Sequence, residues 1–413
     1  MKKLALFGGE KTRKDSFPPF PVIGDEEVTA VVNVIKSNQL SGFIAAAGDN
    51  FSGGPKVQGL EENIKEYFNV KYAITLNSAT AGLHCAFEAL NLNEDDEVIV
   101  PPYTMSATAS AVVMAGAIPV FADIDENSFC LSPDAIKKVI TKKTKAICIV
   151  HLFGNPADMD EIMIVARENN LKVIEDCAQA PGALYKDRLV GRIGDIGVFS
   201  FNQHKTITTG EGGFAITNDD GFATRMRLVR NHGEAVVGDM DLDETFSNVI
   251  GYNYRMTEIE AAIGLIQFSK IDKLNNLRIE LAEYIIENLS GIEGLVFPNI
   301  EKEKKHVYFL LPVKINPATL CISRDQFVDA LNAEGIPFGK GYVKPLYLLP
   351  YFQTGKLKHK YQKGICPIAE RLHFEQLMNS APMIFRYPMN KSDMNEINIA
   401  FKKILDNREE FIL

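Results

Sequence analysis

No two of the six cysteines (Cys85, Cys130, Cys148, Cys177, Cys321 and Cys366) form a C-x-x-C pair. That excludes a readable zinc or iron–sulfur ligand set, so no metal is expected, and it implies free thiols in a reducing compartment. A basic surplus is also missing: 44 Lys and Arg against 53 Asp and Glu leave a net charge of −9. Nucleic acid and anionic membranes both reward a basic face, so neither is an expected partner. No apolar run approaches the length of a membrane-spanning helix. The opening MKKLALFGGEKTRKD begins with lysines, but its apolar stretch is too short for a secretory signal. A cytoplasmic protein is the expectation. Nucleotide-loop signatures are lacking as well. There is no Walker A lysine motif and no H-E-x-x-H, and the Gly-Glu-Gly-Gly at 210–213 precedes a strand rather than a helix. A nicotinamide fingerprint is thereby excluded.

What is present fits a globular protein of two domains: 413 residues, 46% hydrophobic and 23% charged. Between about residues 70 and 217, short β-branched strands alternate with stretches of helical length. The strands read as 72–76, 97–101, 118–124, 146–152, 172–176, 196–201 and 213–217. They are apolar throughout rather than alternating, as strands covered on both faces must be. An α/β domain with a largely parallel sheet follows. A long helical pattern from Thr257 to about Asn288 leads out of it. Beyond lie a strand at 306–315 and a helix opened by Ser323 and Gln326 in capping-box spacing, stopped at Gly335. We expect a large domain over 1–260, whose N-terminal segment is a candidate to pack on the other, and a smaller α+β domain over 261–413. The glycine- and alanine-rich stretch at 42–55 has loop composition and is a candidate lid or partner contact.

In open α/β sheets ligands bind beyond the carboxyl ends of the strands, and three strands there end usefully. The first runs into Asn77-Ser78-Ala79-Thr80 and a helix, whose free amides suit a phosphate; an ordinary N-cap by Asn77 or Ser78 would look the same. The fifth ends in Glu175 and Asp176, where a carboxylate can keep a ring nitrogen protonated or simply cap a helix. The sixth ends in Ser200 and leads, through SFNQHKTITTGEGG, to Lys205, a candidate imine former. An anion site, a pyridinium partner and a lysine at one sheet edge are what pyridoxal phosphate requires.

These residues resemble the DegT/StrS-type aminotransferases, pyridoxal-phosphate enzymes that aminate keto-sugars. The similarity covers about residues 20 to 390 and rests on several motifs together: NSATAGLHCA, VIVPPYT, GAIPVFADID, EDCAQAPGA, GDIGVFSF, KTITTGEGG, RNHG, NYRMTEIEAAIG and CPIAER. It implies fold type I: a seven-stranded, mainly parallel sheet in the large domain, a smaller C-terminal α+β domain, and a homodimer with shared active sites. It also implies roles. Lys205 matches the imine-forming lysine, Asp176 the pyridinium partner and Gln179 the contact on the ring-hydroxyl side. Ala79, Thr80 and Ser200 match the phosphate cup, and Asn253 the residue reaching that phosphate from the neighbouring subunit. The family's T-[FWY]-x-A-T pattern reads here Thr104-Met105-Ser106-Ala107-Thr108. The stacking position therefore falls to Met105, whose sulfur can contact an aromatic ring. The segment 43–56 is longer than the family norm and lies near where substrate would enter.

The expected activity is transfer of an amino group from glutamate or glutamine to a keto-sugar, nucleotide-linked, in amino-sugar biosynthesis. Alternative readings are a cyclitol ketone as acceptor, a sugar dehydratase of the same family in which histidine replaces the lysine, and a non-catalytic regulator. Counting from Ser200 puts Lys205, not His204, at the lysine position. Arg230, His232 and Arg255 are candidates for a pyrophosphate or a donor carboxylate, with ion pairing on a helix surface as the alternative.

Overall fold

The computed structural model describes residues 3–18, 22–240, 242, 246, 248–299, 301–354 and 360–411. The first five strands are β1 (Tyr72–Leu76), β2 (Glu97–Val100), β3 (Ile118–Phe121), β4 (Thr144–Val150) and β5 (Lys172–Asp176). A short hairpin, β6 (Leu184–Tyr185) and β7 (Arg188–Leu189), precedes β8 (Ile196–Ser200) and β9 (Gly213–Thr217). The main sheet has seven strands in the order β1-β9-β8-β5-β4-β2-β3. Only β9 runs against the others, pairing antiparallel with both β1 and β8. The carboxyl ends of six strands and the amino end of β9 therefore share one edge.

Each strand of this sheet is as apolar as its position demands. Strands β8 and β9 are buried at every residue, and β1 and β5 at all but the first. Phe199 and Phe214, directly paired across β8 and β9, stack with ring centroids 4.5 Å apart, and Phe68 packs on both rings. Cross-strand aromatic pairs of this kind hold register.

The C-terminal part supplies β10 (Leu295–Val296), β11 (Lys304–Lys305), β12 (Pro312–Ile315), β13 (Phe338–Lys340) and β14 (Leu377–Ser380). Strands β10, β12, β14 and β13 form an antiparallel sheet in that order, while β11 pairs with β6. A second apolar core lies here, containing Leu281, Ile285, Val313, Phe327, Met378 and Phe401. Leu4 is buried in that core, and Glu334 accepts the amides of Ala5 and Thr12. Among the described residues no helix is long and apolar enough to cross a membrane.

Two elements differ from the sequence reading. The pattern 257–288 is two helices, Glu258–Ser269 and Ile271–Leu289, broken at Lys270, whose ψ is near 0°. The strand expected over 306–315 begins only at Pro312. The amide of Tyr308 turns back to His306 Nδ1 at 2.8 Å, and Tyr308 takes a φ of 45°, which no strand accommodates.

Candidate active site

The shared edge of the sheet assembles the site from its register. Leu76 and Ser200 both stand opposite Gly213, and Asp176 stands opposite Val198. The end of β1, the start of β9 and the end of β8 thus lie side by side. A Cβ on Gly213 would sit 2.6 Å from the amide nitrogen of Ala79 and 2.6 Å from the carbonyl oxygen of Phe199. Only glycine lets the helix Ala79–Ala89 start this close to the strands. Ser78 caps that helix by accepting the amide of Ala81 at 3.1 Å. The amides of Ala79 and Thr80 belong to its first turn, which has no intrahelical acceptor and carries the positive end of the dipole. Ser200 is buried beside them and accepts the amide of Asn202 at 3.2 Å. Ser78 is the cap, and the amides of Ala79 and Thr80 next to it have no intrahelical acceptor.

Strand alternation sorts the two carboxylates of β5. Glu175 is fully enclosed and accepts the amides of Gly191, Ile193 and Gly194 at 2.8, 2.7 and 2.6 Å. His151 completes its shell, with Nε2 3.0 Å from Glu175 and Nδ1 accepting the amide of Ala157. Since Nδ1 is an acceptor, the imidazole proton sits on Nε2 and points at the carboxylate. Glu175 is thereby committed to holding the loop.

Asp176 faces the other way. It is buried, accepts Thr108 Oγ1 at 3.0 Å and accepts the amide of Ala178 at 3.0 Å. Burial pushes its carboxyl above the usual range, and the Ala178 amide, the Lys205 ammonium and the Thr108 hydroxyl pull it back only in part. A cation against its free face would reverse that balance.

Lys205 is half-buried, its amide donates to the Asn202 carbonyl at 2.9 Å, and its Nζ lies 4.5 Å from the centroid of the Phe309 ring. Burial lowers its ammonium from the ordinary 10.5 to about 8, opposed by the attraction of Asp176. An amine so depressed is a nucleophile near neutral pH.

Gln179 is buried and oriented at both ends: its Oε1 accepts the amide of Phe153 at 2.8 Å and its Nε2 donates to the Tyr342 hydroxyl at 3.1 Å. The Tyr342 amide donates to the Tyr103 hydroxyl at 2.7 Å, which fastens the C-terminal part to the site. Met105 lies on the loop before the helix Ala107–Met114, its side chain exposed and its carbonyl accepting the amide of Thr108 at 3.3 Å. Asn253 lies on the strap 251–256, exposed, with its carbonyl 3.5 Å from Asn77 Nδ2. The structure thus gathers Ala79, Thr80, Asp176, Gln179, Ser200 and Lys205 at one edge, while Asn253 lies on the strap against Asn77.

Three residues of the site escaped the sequence reading: Thr108, Phe309 and Tyr342. Thr108 carried a signal, since it lies one helical turn beyond Met105 in the same motif. The other two arrive from more than a hundred residues away and carry none. Arg230 requires a correction. It is fully buried and donates to Glu61 at 2.7 Å and to the Thr75 carbonyl at 3.1 Å, so it belongs neither to a helix surface nor to a substrate pocket.

The sequence model of the DegT/DnrJ/EryC1/StrS aminotransferase family matches residues 23–384. GDP-perosamine synthase of Escherichia coli O157:H7 is 39% identical over 78% of this chain and 83% of its own length. The crystal structure of an aminotransferase from Psychrobacter cryohalolentis superposes with a TM-score of 0.84 at 35% identity, covering 95% of this chain and 99% of that one. DesI, solved in the presence of its TDP-sugar product, also gives a TM-score of 0.84, at 28% identity over 99% of this chain and 98% of its own.

Proposed function

The chain belongs to the DegT/DnrJ/EryC1/StrS aminotransferase family and is an aminotransferase of amino-sugar biosynthesis; from that premise we propose that it carries an amino group from glutamate or glutamine to a nucleotide-linked keto-sugar, with pyridoxal 5'-phosphate as cofactor. One observation supports this above the rest: an amine lowered to about 8 at Lys205 shares a sheet edge with the buried carboxyl of Asp176 and an open helix N-terminus.

The residues fit the cofactor group by group. The first-turn amides of Ala79 and Thr80, with Ser200, offer donors to a phosphate. Asp176, whose carboxyl burial holds above the ordinary range, would gain a partner in a protonated ring nitrogen. Gln179 stands for the ring-hydroxyl side, and Met105 would cover a ring face through its sulfur. When bound, pyridoxal phosphate supplies an aldehyde that accepts amines and a ring that withdraws electrons. With the cofactor bound, Lys205 would act as the base and acid that moves a proton between carbons, and Asp176, fixed by Thr108, would hold the ring nitrogen protonated. Asn253 reaches the phosphate of the neighbouring subunit in a homodimer.

His204 is exposed, whereas Lys205 is the residue coupled to Asp176, which favours transamination over dehydration. A cytoplasmic setting is supported by six free cysteines. The test is spectroscopic. Purified holoenzyme should lose its long-wavelength absorbance on adding glutamate or glutamine alone and recover it on adding a nucleotide-linked keto-sugar, with ping-pong kinetics. A band indifferent to every amino donor would count against the assignment.

A further inference from the structure

The segment 42–54 is a closed loop whose ends touch: a Cβ on Gly42 would lie 2.3 Å from the Cα of Gly54. The Ile44 amide bonds to the Asn50 carbonyl at 2.9 Å, Phe51 is buried, and residues 45–49 are exposed. The loop is clasped from outside by Asn231, which is fully buried and donates through Nδ2 to the carbonyls of Ile44 at 3.2 Å and Phe51 at 3.1 Å. Asn231 Oδ1 in turn accepts Arg255 Nη1 at 3.0 Å, and Arg255 Nε donates to Asn253 Oδ1 at 2.9 Å. Just past the loop, the amides of Lys56 and Val57 in the first turn of the helix Pro55–Phe68 donate to Glu258, the first residue of the helix that follows the strap.

The polarity of this chain of bonds is forced. A guanidinium has donors and no acceptor, so both asparagines must turn their oxygens toward Arg255. Both amide NH2 groups then face away from it. That of Asn231 is spent on the loop carbonyls, and that of Asn253 points outward as a donor.

We propose that Arg255 and Asn231 are positioning residues for the transamination: Arg255 locks the Asn253 amide with its donors toward the cofactor phosphate, and Asn231 couples the same guanidinium to the loop 42–54, which bears on the acceptor. This rests on the proposed function given above. A nucleotide-linked acceptor is the larger substrate and the one that extends beyond the reacting carbon, so a loop tied beside the cofactor strap meets it and not the small amino donor.

Two substitutions in the full-length holoenzyme separate the functions. Asn231→Asp keeps an oxygen for Arg255 but sets carboxylate against the two loop carbonyls. Its KM for a dTDP- or GDP-linked keto-hexose, whichever the wild type turns over, should rise about tenfold, the order of one lost buried hydrogen bond. Its pyridoxal-phosphate affinity and its rate of bleaching by glutamate should stay within about twofold of wild type. Arg255→Met frees the Asn253 amide to turn, so its dissociation constant for pyridoxal phosphate should rise about tenfold, and Arg255→Lys should restore part of the loss. If both variants instead lose cofactor and acceptor affinity in equal proportion with lowered melting temperatures, the network is structural and the inference is overturned. Wild-type protein that binds pyridoxal phosphate but ignores amino donors would overturn the activity instead, while the Arg255 substitutions still report on cofactor affinity.

Discussion

At the scale of single residues, the amine of Lys205 and the carboxyl of Asp176 each depart from ordinary behaviour because their charged forms are shielded from water. Lys205 is protonated below about pH 8 and free above it, against 10.5 for an exposed lysine. Capture of added pyridoxal phosphate by the apo-protein, followed by absorbance, should therefore speed up as pH rises through about 8 and level off beyond it. A rate still climbing toward 10.5 would show an unperturbed lysine. The linkage has the same sign: the unfolded chain keeps the proton between 8 and 10.5 where the folded apo-protein has lost it, so folding stability rises with pH across that window. Thr108→Val removes the hydroxyl that Asp176 accepts at 3.0 Å and raises that carboxyl further. We expect kcat to fall about tenfold, the order of one charge-assisted hydrogen bond, with cofactor affinity little changed. Lys205 and Asp176 were legible from the sequence because each stands at or just past a strand end within a dense motif. Phe309 and Tyr342 were not. Phe309 follows Tyr308, whose positive φ interrupts what reads as a strand, and Tyr342 lies beyond the strand β13, outside every motif.

At the scale of elements, the proposed phosphate cup depends on how closely a helix can approach the sheet. Gly213→Ala would drive a methyl group to 2.6 Å from the Ala79 nitrogen. Displacing the helix start should cost about 1–3 kcal/mol by denaturant titration and weaken pyridoxal-phosphate binding sharply. Ser323→Ala is the contrasting case. Ser323 is exposed, and its Oγ accepts the Gln326 amide at 3.2 Å in a reciprocal capping box that touches none of the site residues named above. Its loss should cost about 1 kcal/mol of stability with kcat unchanged. That box, like the strands of the main sheet, was readable because local chemistry specifies it. The break at Lys270 was not, since no glycine or proline marks it. There the ammonium reaches Glu26 and Glu27 of another helix at 2.7 Å, a tertiary contact that no local pattern reports.

At the scale of the whole molecule, the C-terminal part of the chain sends two residues into the core around the main sheet, Phe309 beside Lys205 and Tyr342 against Gln179. The proposed homodimer with shared sites is open to a complementation test. Subunits carrying Lys205→Ala and subunits carrying Asn253→Asp should each be inactive as homodimers. A mixed dimer contains one site with both native residues, so co-refolded mixtures should regain activity; no recovery would mean that each chain builds its site alone. The central claim is more direct and lies at Lys205. Holoenzyme reduced with borohydride, digested and analysed by mass spectrometry should carry a pyridoxyl group on the peptide containing Lys205, and on no other lysine. A pyridoxyl group found elsewhere, or none at all on protein that is saturated with cofactor, would contradict the account.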